Sequence, residues 1–231
     1  VVDRNGKLLY EMLDEHSGRH AVVSIEQIPM ELRQATLATE DRNFYKHPGF
    51  DLVGVARAVW INLRGGETLA GGSTITQQVA RNLLMTAEER ATRSVQRKLR
   101  EIVLAWQIEQ KLDKDEILAL YLNQTYYGGL AYGVEAAAQT FFGKPVADLD
   151  LAESALIAGL PQAPALYNPY TAYEAAKSRQ ETVLGLMEQA GWISSEEKRQ
   201  ALREPLVLAE TPYPVEAAHF EIGRASCRER V

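Results

Sequence analysis

The chain has 231 residues, 46% of them hydrophobic and 24% charged, which suits one large domain or two close lobes with a sizeable core. A formal net charge of −6 argues against nucleic acid as a general partner. The longest nearly apolar stretch, residues 52–63, is interrupted by Arg57 and is too short to cross a bilayer; no signal peptide is legible.

The chain starts on Val1-Val2-Asp3 without an initiator Met, and an upstream anchor outside it is the expectation. Short β-like alternation around Gly6 and Gly18 makes residues 1–25 an N-terminal lead-in, with a small hairpin from 1–10 and 21–25. Helix signals dominate from Pro29 onward, which can occupy the first turn of a helix over 30–40. The clearest flexible loop is 64–72, with paired glycines at both ends. Thr86-x-x-Glu89, Thr171-x-x-Glu174 and Ser194-x-x-Glu197 are capping boxes, and Asp113-x-x-Glu116 is an acidic variant opening a helix over 116–123. Val95, Leu99, Ile102, Val103, Trp106 and Leu112 recur at helical spacing over 95–112. A further apolar helix over 150–160 is stopped by Gly159 and Pro161, and one over 175–190 ends at Gly191.

Three clusters carry chemistry. Residues 40–49 pack Glu40, Asp41, Arg42, Phe44, Tyr45, Lys46 and His47 ahead of a Pro48-Gly49 turn, where working groups gather. Alone, the segment reads equally as a capped helix end with a charge pair. In the second, Ser73 and Thr74 follow two glycines and can cap a helix whose free N–H groups suit an anion. Gln77 and Gln78 add neutral donors for sugar hydroxyls or amides; the plain alternative is a capped helix with two exposed glutamines. In the third, Arg93, Arg97, Lys98 and Arg100 surround Glu101. Such a run is commonly a solvated helix face, but a sector bordering the apolar stripe suits a pyrophosphate. Further on, Ile117, Leu120 and Tyr121 read as core and Asn123 as a polar contact.

Taken in order, EDRNFYKHPGFD (40–51), GGSTITQQ (71–78), RKLRE (97–101) and KDEILALYLN (114–123) resemble the first four signature motifs of the peptidoglycan glycosyltransferases of family 51. These are the glycan-polymerising domains of class A penicillin-binding proteins and of monofunctional transglycosylases. Four motifs in order are highly specific, and the similarity runs over nearly the whole chain to Phe220. Two departures stand out. The paired arginines usual in the fifth motif are here Arg179-Gln180, and the lysine often found after the paired glutamines is Arg81.

The resemblance implies a mainly α, lysozyme-like, two-lobed domain over 26–220, with a cleft between the lobes and a small N-terminal β element. It implies polymerisation of lipid II into a β-1,4 glycan strand, with inversion and release of undecaprenyl pyrophosphate. Glu40 matches the base that activates the sugar hydroxyl. Arg81, Arg93, Lys98 and Arg100 would meet the leaving pyrophosphate, with Arg97, Ser73, Thr74, Gln77, Gln78, Asn123 and Arg179 binding substrate. Glu101, ionised among cations, would orient them or hold a divalent cation, Mg²⁺ or Mn²⁺. Asp41, Phe44, His47 and Gly49 would shape the first motif. The family also implies a hydrophobic lobe at 52–64 in contact with the membrane surface, residence on the outer face of the bacterial plasma membrane, and cell-wall synthesis proteins as partners. A glycan-cleaving enzyme and a non-catalytic cell-wall scaffold are the rival readings; the basic run speaks against cleavage, which needs no pyrophosphate cradle.

Residues 212–220 resemble the junction that enters a transpeptidase domain, which points to a bifunctional parent. Residues 221–231 break the preceding pattern and read as the translation of a common sequencing adapter. On that reading they are a non-native tail, and the single cysteine, Cys227, is not native.

Overall fold

The computed structural model describes residues 19–51, 73–92 and 94–210. The expected strand at 1–10, the apolar stretch 52–64, the glycine-rich loop 64–72, Arg93 and the tail after 210 lie outside the described residues.

Nine α-helices stand among the described residues: α1 (Met30–Glu40), α2 (Ile75–Leu84), α3 (Ala87–Ala91), α4 (Val95–Glu109), α5 (Lys114–Gln124), α6 (Val134–Phe142), α7 (Leu151–Gly159), α8 (Tyr173–Gln189) and α9 (Ser195–Arg203). The domain is mostly helical, as expected. Three of the capping boxes form, at Thr86, Asp113 and Ser194, and a fourth forms at Asp150 with Glu153. The box at Asp113 opens the helix at Lys114, two residues ahead of the expected start. α8 ends in a Schellman motif: Trp192 N–H donates to Met187 O at 3.1 Å and Gly191 N–H to Glu188 O at 2.9 Å. Gly191 supplies the left-handed residue, at φ +72°.

Four local expectations need correction. Thr171 and Glu174 form no capping box; Asn168 builds its own turn, accepting from Tyr170 N through Oδ1, and α8 starts at Tyr173 with no side-chain cap. Pro29 sits at the N-cap of α1, one residue ahead of the first turn. Residues 21–24 are not a strand but irregular backbone, leading into a 3₁₀ turn at Ile25–Gln27. The β element is instead a three-stranded sheet in the order β1 (Arg19–His20), β3 (Ala131–Tyr132), β2 (Tyr126–Gly128). β1 runs parallel to β3, and β2 and β3 form an irregular antiparallel pair.

The core explains why the helices take these places. Every residue of α7 from Ala152 to Gly159 is buried, so this helix is apolar nearly all round and lies at the centre. α1 and α8 pack on it, contributing Leu32 and Ala35 from α1 and Val183, Leu184 and Met187 from α8. α2 packs on α4 and α5, and the small residues Ala136, Ala137 and Ala138 let α6 approach its neighbours closely. Truncating a fully buried residue such as Leu156 costs about 2–5 kcal/mol in a core of this density. The apolar stripe of α4 does not turn to the core. α4 faces the interior through Glu101 and Ala105, leaving Val95, Leu99, Val103 and Trp106 exposed.

Candidate active site

Glu40 is the last residue of α1, half-buried where the helix turns into the first motif. Its Oε2 accepts a 2.8 Å hydrogen bond from Gln78 Nε2 on α2. Two buried phenols stand within reach of its charge. Burial pushes the Tyr121 and Tyr127 hydroxyls well above the ordinary tyrosine range, and the negative charge of Glu40 pushes both further. Both phenols therefore stay protonated beside Glu40 near neutral pH.

Asp41 and His47 close the first motif on itself. His47 Nε2 lies 2.9 and 3.0 Å from the two Asp41 oxygens, which makes that nitrogen the donor. Asp41 Oδ2 also accepts from Ile75 N–H at 3.1 Å, the first residue of α2. The anion at this helix N-terminus is thus the protein's own Asp41, where the helix dipole favours it. Thr74 provides the cap, accepting from Gln77 N–H at 3.2 Å and donating to Gly49 O at 2.7 Å. Phe44 is fully buried.

The second constellation centres on Lys98. Its ammonium donates to Ser73 Oγ at 2.7 Å, Gln77 Oε1 at 2.8 Å and Glu101 Oε2 at 3.2 Å. Glu101 is wholly buried, and Arg97 Nε stands 3.4 Å from its other oxygen, an ion pair without hydrogen-bond geometry. Burial lowers the Lys98 pKa, while the Glu101 carboxylate pulls the other way. Gln77 is buried, and its Nε2 has no partner among the described residues. Arg81, in the last turn of α2, is felt electrostatically at both Lys98 and Tyr121, so its charge bridges the Glu40 and Glu101 corners. Arg100 turns outward to an ion pair with Glu89.

Two candidates stand elsewhere. Asn123 latches the lead-in: its Oδ1 accepts from Val23 N–H, and its Nδ2 donates to Val23 O and Ala119 O, each at 2.9 Å. Arg179 Nε donates to Gly159 O at 3.3 Å, at the end of α7, and its guanidinium lies 5.8 Å from the centroid of the Tyr167 ring. Gln180, where the fifth motif departs from its usual arginine, is fully buried and donates to Ala152 O at 2.6 Å. An arginine there would bring a charge into the contact between α7 and α8.

The family that the motif order suggests is the one the comparisons give. The model of the family described as Transglycosylase matches residues 5–188. The chain belongs to the transglycosylase family. It is 50% identical over 186 residues to penicillin-binding protein 1A of Aquifex aeolicus, covering 80% of this chain and 25% of that protein. The protein of the same name from Neisseria flavescens is 49% identical over 188 residues, covering 81% of the chain and 23% of the relative. The crystal structure of penicillin-binding protein 1A from Haemophilus influenzae matches with a TM-score of 0.52 and 27% identity, over 93% of this chain and 22% of that one. The transglycosylase chain thus spans about a quarter of the length of the relatives it matches.

A divalent cation is the expectation at Glu101. Both carboxylate oxygens already face Lys98 and Arg97, and no group of three or more His, Cys, Asp or Glu among the described residues could hold an ion. That set does not fit a divalent cation. Sequence reasoning passed over Thr76, Glu109 and Lys114, which gather beneath the first motif. Their signal was available: Glu101, Ala105 and Glu109 recur at intervals of four and share one face of α4.

Proposed function

We propose that this transglycosylase polymerises lipid II by inverting glycosyl transfer. The sugar hydroxyl of one unit attacks the anomeric carbon of a lipid-linked chain. A C–O bond forms there as the bond to the pyrophosphate oxygen breaks. Glu40 takes the hydroxyl proton, and undecaprenyl pyrophosphate leaves with the bond electrons. A sugar hydroxyl is a poor nucleophile near neutrality, so a fixed base is needed. The carrying observation is the hydrogen bond from Gln78, which ties the Glu40 carboxylate to α2, the helix that carries Arg81 and whose Gln77 accepts from Lys98.

Charge developing on the leaving pyrophosphate is best met by cations already in place, which need no reorganisation during reaction. Lys98 is pre-set by its three acceptors, and Glu101 orients it together with Arg97. Arg81 and Arg100 add to the basic charge in this reading, and Arg93, outside the described residues, is a further candidate.

A lipid-borne substrate requires approach to a bilayer. No helix among the described residues is long and apolar enough to cross one. Support for surface contact comes from α4, whose exposed Val95, Leu99, Val103 and Trp106 form an apolar face beside Arg97 and Arg100. With the 52–64 segment, this face is assigned to the outer leaflet of the bacterial plasma membrane, where other cell-wall synthesis proteins would meet the enzyme.

Incubation with lipid II, and separately with intact peptidoglycan, tests the reading. Elongating glycan strands from lipid II are expected. Soluble fragments released from peptidoglycan would instead indicate a hydrolase, and no reaction with either substrate a scaffold.

A further inference from the structure

The first motif does more than present Glu40; it rests on a partly buried ion pair. Lys114 Nζ donates to Glu109 Oε1 at 2.7 Å and to His47 O at 2.7 Å, and lies 4.5 Å from the centroid of the Phe44 ring. Thr76 Oγ1 donates to the same Glu109 oxygen at 2.6 Å. The Glu109 side chain is only 8% exposed and that of Lys114 21%. Three elements, α2, α4 and α5, therefore meet the 44–49 segment at one carboxylate.

Packing brings the backbone to the same point. Gly49 has φ +85°, and a Cβ there would lie 2.9 Å from Glu109 Cγ and 3.0 Å from Ala105 O. Ala105 lies between Glu101 and Glu109 on the inward stripe of α4, and those two carboxylates are about 12 Å apart along the helix axis. α4 thus carries Glu101 near one end of its inward face and the seat of the first motif near the other. α2 likewise presents Thr76 to the seat and Gln78 to Glu40.

An ion pair drawn partly out of water is a poor way to gain stability, since desolvation offsets part of the attraction. It does fix geometry, because neither partner can shift without leaving a charge unpaired. We propose that Glu109 and Lys114 are positioning residues whose ion pair seats the first motif on α4 and α2, and so sets the place of Glu40 relative to Glu101. The role in turnover rests on the transferase reading above; the mechanical coupling does not.

The test uses the chain bearing Glu109→Gln, Lys114→Met, Lys114→Arg or Thr76→Val, the last being mild enough to keep the fold. Turnover of lipid II is measured well below each variant's melting temperature, and amide exchange is followed at Ile75, whose N–H is held by Asp41. Glu109→Gln and Lys114→Met are expected to lower kcat about tenfold or more with KM nearly unchanged, as a small displacement of a catalytic group does. Lys114→Arg should recover much of that loss, and Thr76→Val should show a smaller one. Exchange at Ile75 should quicken in the same order. Unchanged kcat in the folded variants, or a loss that follows melting temperature alone, overturns the positioning role. Were the wild-type chain inactive on lipid II, the transferase reading would fail, while unchanged exchange at Ile75 would independently sink the coupling.

Discussion

Gln78 and Glu40 are joined by a 2.8 Å hydrogen bond from the Gln78 amide to Glu40 Oε2, linking the end of α1 to the second turn of α2. A base must be held as well as present, and this bond removes the rotation that a residue at a helix end would otherwise keep. Glu40→Gln preserves shape and removes the basic oxygen. It should lower lipid II polymerisation by about 10²–10⁴-fold, the usual worth of a positioned base, with an unchanged circular dichroism spectrum. Gln78→Ala should produce a smaller fall, mostly in kcat. Near-normal turnover in Glu40→Gln would remove it from the base role.

Glu101 and Lys98 make the second prediction. Lys98→Met leaves Glu101 buried with only the imperfect Arg97 pair, and stranding a buried charge costs about 3–5 kcal/mol. Glu101→Gln keeps an acceptor for Lys98 and should cost much less stability, yet lose most activity as Lys98 and Arg97 lose their orientation. Chemical denaturation paired with turnover separates the two effects. A Glu101→Gln enzyme that unfolds easily but turns over normally when folded would show that the carboxylate serves the fold alone.

Much of this site was legible before any coordinates, and the reason is local. Caps such as Thr86, Asp113 and Ser194 state where a helix begins because their partners lie three residues away. Thr171 failed because Asn168, just upstream, offered the backbone a competing turn. The inward face of α4 was not legible for a different reason. Apolar periodicity marks a face that avoids water, and cannot tell a protein core from another apolar surrounding. Long-range partnerships were least legible: nothing near Lys114 announces His47 O, and nothing near Arg42 announces Gln189 O, to which it donates at 3.0 Å.

Lys98 also makes the site pH-dependent. Burial lowers its folded-state pKa below the ordinary 10.5, despite the opposing pull of Glu101. Below that lowered value Lys98 is charged whether the chain is folded or not, and the burial penalty is fully present. As pH rises through it, the folded chain sheds the proton first, so the unfolded chain binds more protons and the penalty eases. Binding runs the other way. A pyrophosphate stabilises the charged ammonium, so affinity for a lipid pyrophosphate analogue should weaken as pH climbs through the lowered value. Lys98→Arg keeps its charge over this range and should flatten that alkaline fall in a calorimetric titration. Parallel curves for the two proteins would assign the alkaline dependence to another group.

Gly133 carries the prediction most independent of mechanism. It stands at the N-cap of α6 with φ +85°, and a Cβ there would lie 2.7 Å from Asn123 O. That carbonyl belongs to the residue whose side chain latches Val23, so it cannot retreat without loosening the lead-in. Gly133→Ala therefore meets two penalties. The extended positive-φ backbone, a region essentially confined to glycine, alone costs about 1–3 kcal/mol for a residue with a Cβ, and the contact adds to it. Gly191→Ala also has a positive φ, +72°, but nothing within 4 Å of its Cβ, so it carries a backbone penalty without a contact. Thermal denaturation should rank Gly133→Ala clearly below Gly191→Ala, with both below the parent chain. Equal melting temperatures for the two variants would mean that the contact with Asn123 O relaxes without cost.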